Sequence, residues 1–284
     1  MSNWLDPQLY PFAPKRFQSS GGVLSYLDEG QGAPILFVHG TPSWSFEWRA
    51  VIRTLAAQAR CIAPDHLGFG LSDKPSAARL DPEQHAQRLG ELIDALDLQD
   101  VTLVVHDFGG PIGIGAVLPR LERIRRIVVL NSWCWSNAQD RAVRRLDRLI
   151  NSWLGRFLYL CLNASPRWLL PASFGDRTKL TPRIHAQYLG PFLRRNERAG
   201  TYALARALLG SDGYYARLWA QRHLLKDKLT QILWGERDPA FKAVHLEQWQ
   251  QAFPRARVTR LAQVGHFVGE EAPDALVRAL SDAV

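Results

Sequence analysis

The chain has 284 residues, 46% of them hydrophobic and 22% charged, which is apolar enough for a packed core and long enough for one domain with an insertion. Lys and Arg outnumber Asp and Glu by 35 to 27, a net charge of +8. The basic clusters at 120–126, 141–148 and 194–198 alternate with Leu, Ile and Val at helical spacing and carry no nucleic-acid motif, so they read as solvated helix faces, with no nucleic-acid partner expected.

The most apolar stretch, 153–162, is short and broken by Gly155 and Arg156, so no membrane span and no membrane partner are expected. Residues 1–17 show no apolar leader. Cys61, Cys134 and Cys161 are widely spaced and odd in number; they read as buried thiols of a cytoplasmic protein, with no disulfide set and no metal site.

In chain order, residues 21–29 alternate loosely and precede a Gly-Gln-Gly-Ala-Pro turn, the pattern of an N-terminal antiparallel hairpin. Residues 35–38 are a wholly apolar run, as in buried parallel strands. A helix follows over 44–57, with Trp48, Val51, Ile52 and Leu55 on its inner face. A strand at 61–63 runs into a glycine-punctuated loop. Asp81-Pro82 opens a helix reaching about Leu96. Residues 101–105 form the next strand, which ends abruptly in His106-Asp107-Phe108-Gly109-Gly110. A helical pattern resumes at Pro111, and 127–130 form a further strand.

This alternation predicts a parallel sheet covered by helices on both faces. It stops near Trp133. From 133 to 222 the sequence holds helical patterns, prolines, aromatics and arginines but no convincing strand, so a helical insertion is expected there. The α/β pattern returns with a strand at 231–234, a helix at 244–252, a strand at 257–261 and a helix at 272–283. The expected organisation is therefore a core of 1–132 and 223–284 with a helical cap of 133–222.

The strand, sharp turn and helix around Asp107 match the geometry that exposes a nucleophile at the carboxyl edge of a sheet. Its glycines let strand and helix backbones nearly touch. A nucleophile needs a base, and a histidine base needs an orienting acid. Asp238 and His266 each follow a predicted strand, at the edge where open parallel sheets bind ligands. The order nucleophile, acid, histidine is that of α/β-hydrolases. Some α/β-hydrolases place the acid after the preceding strand, where this chain has the neutral Asn131, so Asp238 is the better candidate; Glu236, close to the same strand end as Asp238, stays open beside it.

These stretches carry a resemblance. His39-Gly-Thr-Pro-Ser-Trp-Ser-Phe-Glu-Trp-Arg49, Asp65-His-Leu-Gly-Phe-Gly-Leu-Ser-Asp-Lys-Pro75, His106-Asp-Phe-Gly-Gly-Pro111, Leu130-Asn-Ser-Trp133, Trp234-Gly-Glu-Arg-Asp-Pro-Ala-Phe241 and Gly265-His-Phe-Val-Gly-Glu-Glu-Ala-Pro273 resemble the Asp-nucleophile branch of the α/β-hydrolase family, most of all the haloalkane dehalogenases. The resemblance implies an α/β-hydrolase fold with an inserted helical cap, and a reaction needing no cofactor and no metal. It also implies a covalent alkyl ester on Asp107, hydrolysed by water that His266 activates. The backbone N–H groups of Thr41 and Phe108 would form the oxyanion hole. The expected partners are a small apolar substrate and water, in a monomer or weak homo-oligomer.

The chain departs from that family at Phe108, where an indole donor usually stabilises the leaving halide; a phenyl ring has no hydrogen to donate. Expected pocket residues, among which a replacement donor is sought, are Trp44, Trp133, Trp168 and Tyr214. Epoxide hydrolysis is the main alternative, with Tyr188, Tyr202, Tyr214 and Tyr215 as candidate acids. A β-lactone-cleaving relative and a non-catalytic basic binding protein are the others.

Overall fold

A computed structural model describes residues 3–76 and 78–281. Eight strands form one sheet: β1 (Lys15–Ser19), β2 (Gly22–Glu29), β3 (Pro34–Val38), β4 (Arg60–Pro64), β5 (Val101–Asp107), β6 (Ile124–Ser132), β7 (Leu229–Gly235) and β8 (Arg257–Leu261). Their spatial order is β1-β2-β4-β3-β5-β6-β7-β8. Only β1–β2 and β2–β4 pair antiparallel; the other pairs are parallel. The expected N-terminal hairpin exists, and the partner of 22–29 lies upstream, with the turn at Ser20-Gly21.

Helices cover both faces, as a parallel sheet requires. They are α1 (Arg49–Leu55), α2 (Pro82–Ala95), α3 (Gly109–Val117), α10 (Ala243–Ala252), α11 (Val268–Glu271) and α12 (Pro273–Ser281). Residues 282 and 283 of the expected last helix lie outside the described residues. Asp81 caps α2 by accepting from the Gln84 N–H at 3.1 Å, and Pro82 fills the first helical position, where no N–H partner is needed. Two large apolar clusters result, one on each face of the sheet. One is built on Leu103, Val105, Ile112 and Val129. The other is built on Phe37, Val104, Val128 and Leu130. Alternate residues of β5 thus serve opposite layers, the period-two rule of a strand.

Between β6 and β7 the described chain forms helices joined by loops, with no strand. It runs through α4 (Arg141–Ile150), α5 (Trp153–Leu160), α6 (Leu170–Ala172), α7 (Pro182–Leu189), α8 (Ala199–Gly210) and α9 (Asp212–Ala220). Asp140, Ser152 and Thr181 cap α4, α5 and α7 by accepting from N–H groups of the first turn.

Candidate active site

Asp107 ends β5 with φ +52°, in the left-handed region that side chains other than glycine rarely adopt. The pairing of β5 with β6 shifts register between His106 and Asp107, and Ser132 Oγ donates to the Asp107 carbonyl at 2.6 Å. Strained backbone of this kind persists where the surroundings hold it. Gly109 opens α3 so close to β3 that a Cβ would lie 2.1 Å from the Val38 carbonyl oxygen. A Cβ on Gly40 would lie 2.1 Å from Asp107 Oδ1. Both positions must therefore be glycine if the carboxylate is to sit where it does.

The Thr41 N–H donates to Asp107 Oδ1 at 2.8 Å, and the Phe108 N–H also bonds the carboxylate. His266 Nε2 lies 3.7 Å from Asp107 Oδ2. On its other side, His266 Nδ1 lies 2.7 Å from Asp238 Oδ2, so Nδ1 carries the hydrogen and the carboxylate accepts. Asp238 Oδ1 accepts from the N–H groups of Ala240 (2.7 Å) and Phe241 (3.1 Å). The structure thus brings Asp107, Asp238, His266, Thr41 and Phe108 together.

Burial pushes the Asp107 carboxyl up from its ordinary range, against the opposing pull of His266, His106 and the two N–H donors. Burial alone would lower His266. The Asp238 charge and hydrogen bond outweigh it, helped by Asp107 and Glu47, and raise the imidazole to about 9. Asp238 is held low despite its burial, mainly by His266.

Two supports escape sequence reasoning. Asn131 Nδ2 donates to Asp238 Oδ2 at 2.8 Å and to the Gly235 carbonyl at 3.0 Å, while its Oδ1 accepts from the Gly235 N–H at 2.7 Å. The alternative acid position therefore helps to hold the Asp238 carboxylate in place. Beneath His266 lies a second acid–histidine pair. His106 Nε2 donates to the His266 carbonyl at 2.9 Å, the two rings are 4.4 Å apart, and His106 Nδ1 sits 2.8 Å from Glu47 Oε1. Glu47 Oε2 accepts from Ser43 Oγ at 2.5 Å, and Glu47 and His106 are both fully buried. Glu47 falls within a quoted motif, but its partner is 59 positions away.

Asp107 and His266 face a cavity of about 510 Å³, ample for a small molecule. Its walls are mainly apolar and include Phe108, Trp133, Val143, Leu146, Leu169 and Phe241. Trp133 Nε1 and Thr41 Oγ1 are buried without a hydrogen-bond partner among the described residues, and both side chains line the cavity. Native structures leave few such groups unsatisfied, so each calls for an explanation.

Three expected pocket residues lie elsewhere. Trp44 Nε1 donates to the Gln187 carbonyl at 3.1 Å, and the ring is buried among Trp4, Tyr10 and Phe46. Its loop turns the indole into the core layer behind the Thr41 N–H. Trp168 is 48% exposed, with Arg167 over its ring. Tyr214 packs on α3 and donates to the Pro111 carbonyl at 2.9 Å. The other candidate acids are also engaged away from the cavity: Tyr188 with Glu270, Tyr202 with Ile150 and Tyr215 with Ala207. The tyrosine that lines the cavity is Tyr159 on α5, whose hydroxyl burial, with the Asp107 charge, pushes up to about 12. Among the described residues no group of three or more His, Cys, Asp or Glu side chains is arranged to hold a metal ion.

Residues 33–273 match the model of the alpha/beta hydrolase fold family. The chain belongs to the alpha/beta hydrolases. Within that family it is a haloalkane dehalogenase-like enzyme. It is 35% identical over 277 residues to haloalkane dehalogenase 2 of Mycobacterium bovis, covering 97% of this chain and 96% of the relative. It is 34% identical over 280 residues to a cis-3-alkyl-4-alkyloxetan-2-one decarboxylase of Shewanella oneidensis, covering 95% and 87%. Among solved structures it superposes on the haloalkane dehalogenase DatA from Agrobacterium tumefaciens with TM-score 0.83, at 25% identity over 95% of this chain and 95% of that one. No helix of this hydrolase, among its described residues, is long and apolar enough to cross a membrane.

Proposed function

We propose that this hydrolase cleaves a carbon–halogen bond in small apolar molecules through a covalent ester on Asp107. The observation that carries the reading is the Asp107 carboxylate, held between two backbone N–H groups and His266 on the floor of an apolar cavity.

A carboxylate is ionised at neutral pH and needs no base to attack. One oxygen displaces halide from an sp³ carbon: the C–O bond forms, the C–X bond breaks, and halide leaves with the bonding pair. Phe108 donates nothing to that halide. The unpartnered donors Trp133 Nε1 and Thr41 Oγ1 are the groups available to take its place. A buried donor without a partner costs about 1–3 kcal/mol, and an arriving anion removes that cost.

The same step prepares the next one. While Asp107 is ionised, its charge helps to keep His266 protonated. Esterification removes that charge, so the histidine pKa falls and the ring becomes a base for water. Water gives a proton to His266 and attacks the ester carbonyl, and the Thr41 and Phe108 N–H groups receive the developing oxyanion. The intermediate then collapses, the acyl C–O bond to the alkyl group breaks, and the alcohol leaves with the proton from His266, restoring the Asp107 carboxylate. Asp238 holds the tautomer and stabilises the imidazolium. We read residues 133–222 as the cap over this cavity, to which Val143, Leu146, Tyr159 and Leu169 contribute walls.

The test is a single turnover in ¹⁸O water, followed by mass analysis of the peptide holding Asp107. Label in that carboxylate is expected; a product labelled while Asp107 stays unlabelled would overturn the mechanism. Halide release from short bromoalkanes, run beside an epoxide and a β-lactone, tests the substrate. The Shewanella relative supports the lactone as second reading, and turnover of the lactone with background halide release would favour it.

A further inference from the structure

The charge of this protein is confined to one part of the chain. Residues 133–222 hold fifteen Lys and Arg against five Asp and Glu, a net +10, so the remainder carries −2 of the total +8. The exposed large apolar side chains gather in the same place. Eight of ten fall between 146 and 193, among them Leu146 (45%), Leu149 (45%), Trp153 (79%), Phe157 (44%), Trp168 (48%) and Leu169 (50%). Most soluble surfaces scatter such residues singly.

Their placement adds to the count. On α5, Trp153 and Phe157 are four positions apart and so share one helix face. Leu146 on α4 and Leu169 before α6 line the catalytic cavity and are also half-exposed, so the apolar surface continues from the cavity wall to the outside. The same stretch, 141–169, also carries Arg141, Arg144, Arg145, Arg148, Arg156 and Arg167, all exposed. None of the six forms a salt bridge among the described residues; those of the segment go through Arg183 and Arg217.

We propose that this face docks on an anionic lipid surface, with the cavity mouth toward the lipid. Uncompensated arginines attract acidic headgroups, while Trp, Phe and Leu of the same stretch enter the boundary of the acyl chains. A second copy fits less well, because two net-positive faces repel. A nucleic acid would engage the arginines and leave the aliphatic side chains with nothing to bury against. The contact is peripheral, and it revises the reading of the 141–148 cluster as a merely solvated face. An apolar substrate dissolved in the lipid would then reach the cavity without crossing water. The proposal is independent of the reaction on Asp107.

The test sediments the full chain with phosphatidylcholine vesicles, with and without about 30 mol% phosphatidylglycerol. The protein is expected to pellet with the anionic vesicles and stay in solution with phosphatidylcholine alone. Salt near 0.5 M should release it, since screening shortens the reach of the charges to roughly 4 Å. Trp153→Glu combined with Phe157→Glu should lower the bound fraction about tenfold or more while leaving the thermal midpoint and the turnover of a soluble substrate unchanged. The proposal is overturned if nothing pellets, or if the double variant pellets like the parent. A dimer in light scattering that the same variant dissociates would also overturn it, by showing a second copy as the occupant. So would tighter binding to a single-stranded oligonucleotide.

Discussion

Trp133→Phe separates a catalytic donor from a packing residue. The indole is 1% exposed and wedged among Phe108 (ring centroids 4.8 Å), Phe241 (5.5 Å) and Tyr215 (5.6 Å), yet its N–H has no partner among the described residues. The neighbouring Trp249 shows the usual arrangement, donating to the Ser132 carbonyl at 2.8 Å. Phenylalanine keeps an aromatic ring in the slot and deletes the donor. Two stability effects then oppose each other. Removing an unpaired buried N–H gains about 1–3 kcal/mol. Losing roughly 40 Å² of buried apolar area costs about 1 kcal/mol, with a similar amount for the gap. The net change in unfolding free energy is expected within about 1 kcal/mol of zero. Activity has no such compensation. A hydrogen bond to a developing halide is worth about 1.5–3 kcal/mol, so the alkylation rate should fall roughly 10- to 100-fold. Rapid-quench halide release measures the rate, and thermal denaturation measures stability. The assignment fails if alkylation stays within about twofold of the parent, or if the variant loses more than about 3 kcal/mol, which would mark the ring as structural.

Ester hydrolysis should rise with pH along a limb set by His266, because the protonated ring cannot accept a proton from water; its pKa in the ester should lie below the value near 9 of the free enzyme, and single-turnover hydrolysis rates across pH read it directly. A limb at or above 9 would contradict the loss of the Asp107 charge. Glu47→Gln should move that limb to lower pH, since Glu47 helps to raise His266, while halide release keeps its rate; an unmoved limb would reduce the buried pair to a packing role. The protein should lose stability below neutral pH through His39, His66 and His85, which burial holds neutral. His66 is lowered from 6.5 to about 4, so the stability it contributes is complete above about 6.5 and lost as pH falls toward 4, a cost of about 3 kcal/mol from this group alone. Urea midpoints measured between pH 7 and 4 check this; a flat profile would refute it.

The apolar runs at 35–38, 101–105 and 127–130 could be placed in a parallel sheet from sequence because a strand buried on both faces must be apolar throughout. Asp107, Asp238 and His266 were legible because each follows such a run, and strand ends converge on one edge of the sheet. The turn at Asp107 was legible from Gly109 and Gly110, since only a missing Cβ lets α3 start against the Val38 carbonyl. What the sequence left open is the direction in which a side chain points after a turn. Trp44, Trp133, Trp168 and Tyr214 were all candidates; the fold buries Trp44 among Trp4, Tyr10 and Phe46, leaves Trp168 on the surface, turns Tyr214 onto α3 and, of the four, sets only Trp133 against the cavity with its N–H unpartnered. Asn131 clamping Asp238 and Glu47 meeting His106 also depend on contacts across 107 and 59 positions of chain. Local sequence determines strand, turn and nucleophile because their causes act over a few residues. Packing between distant segments decides which donors face the cavity and which charges stand behind the histidine.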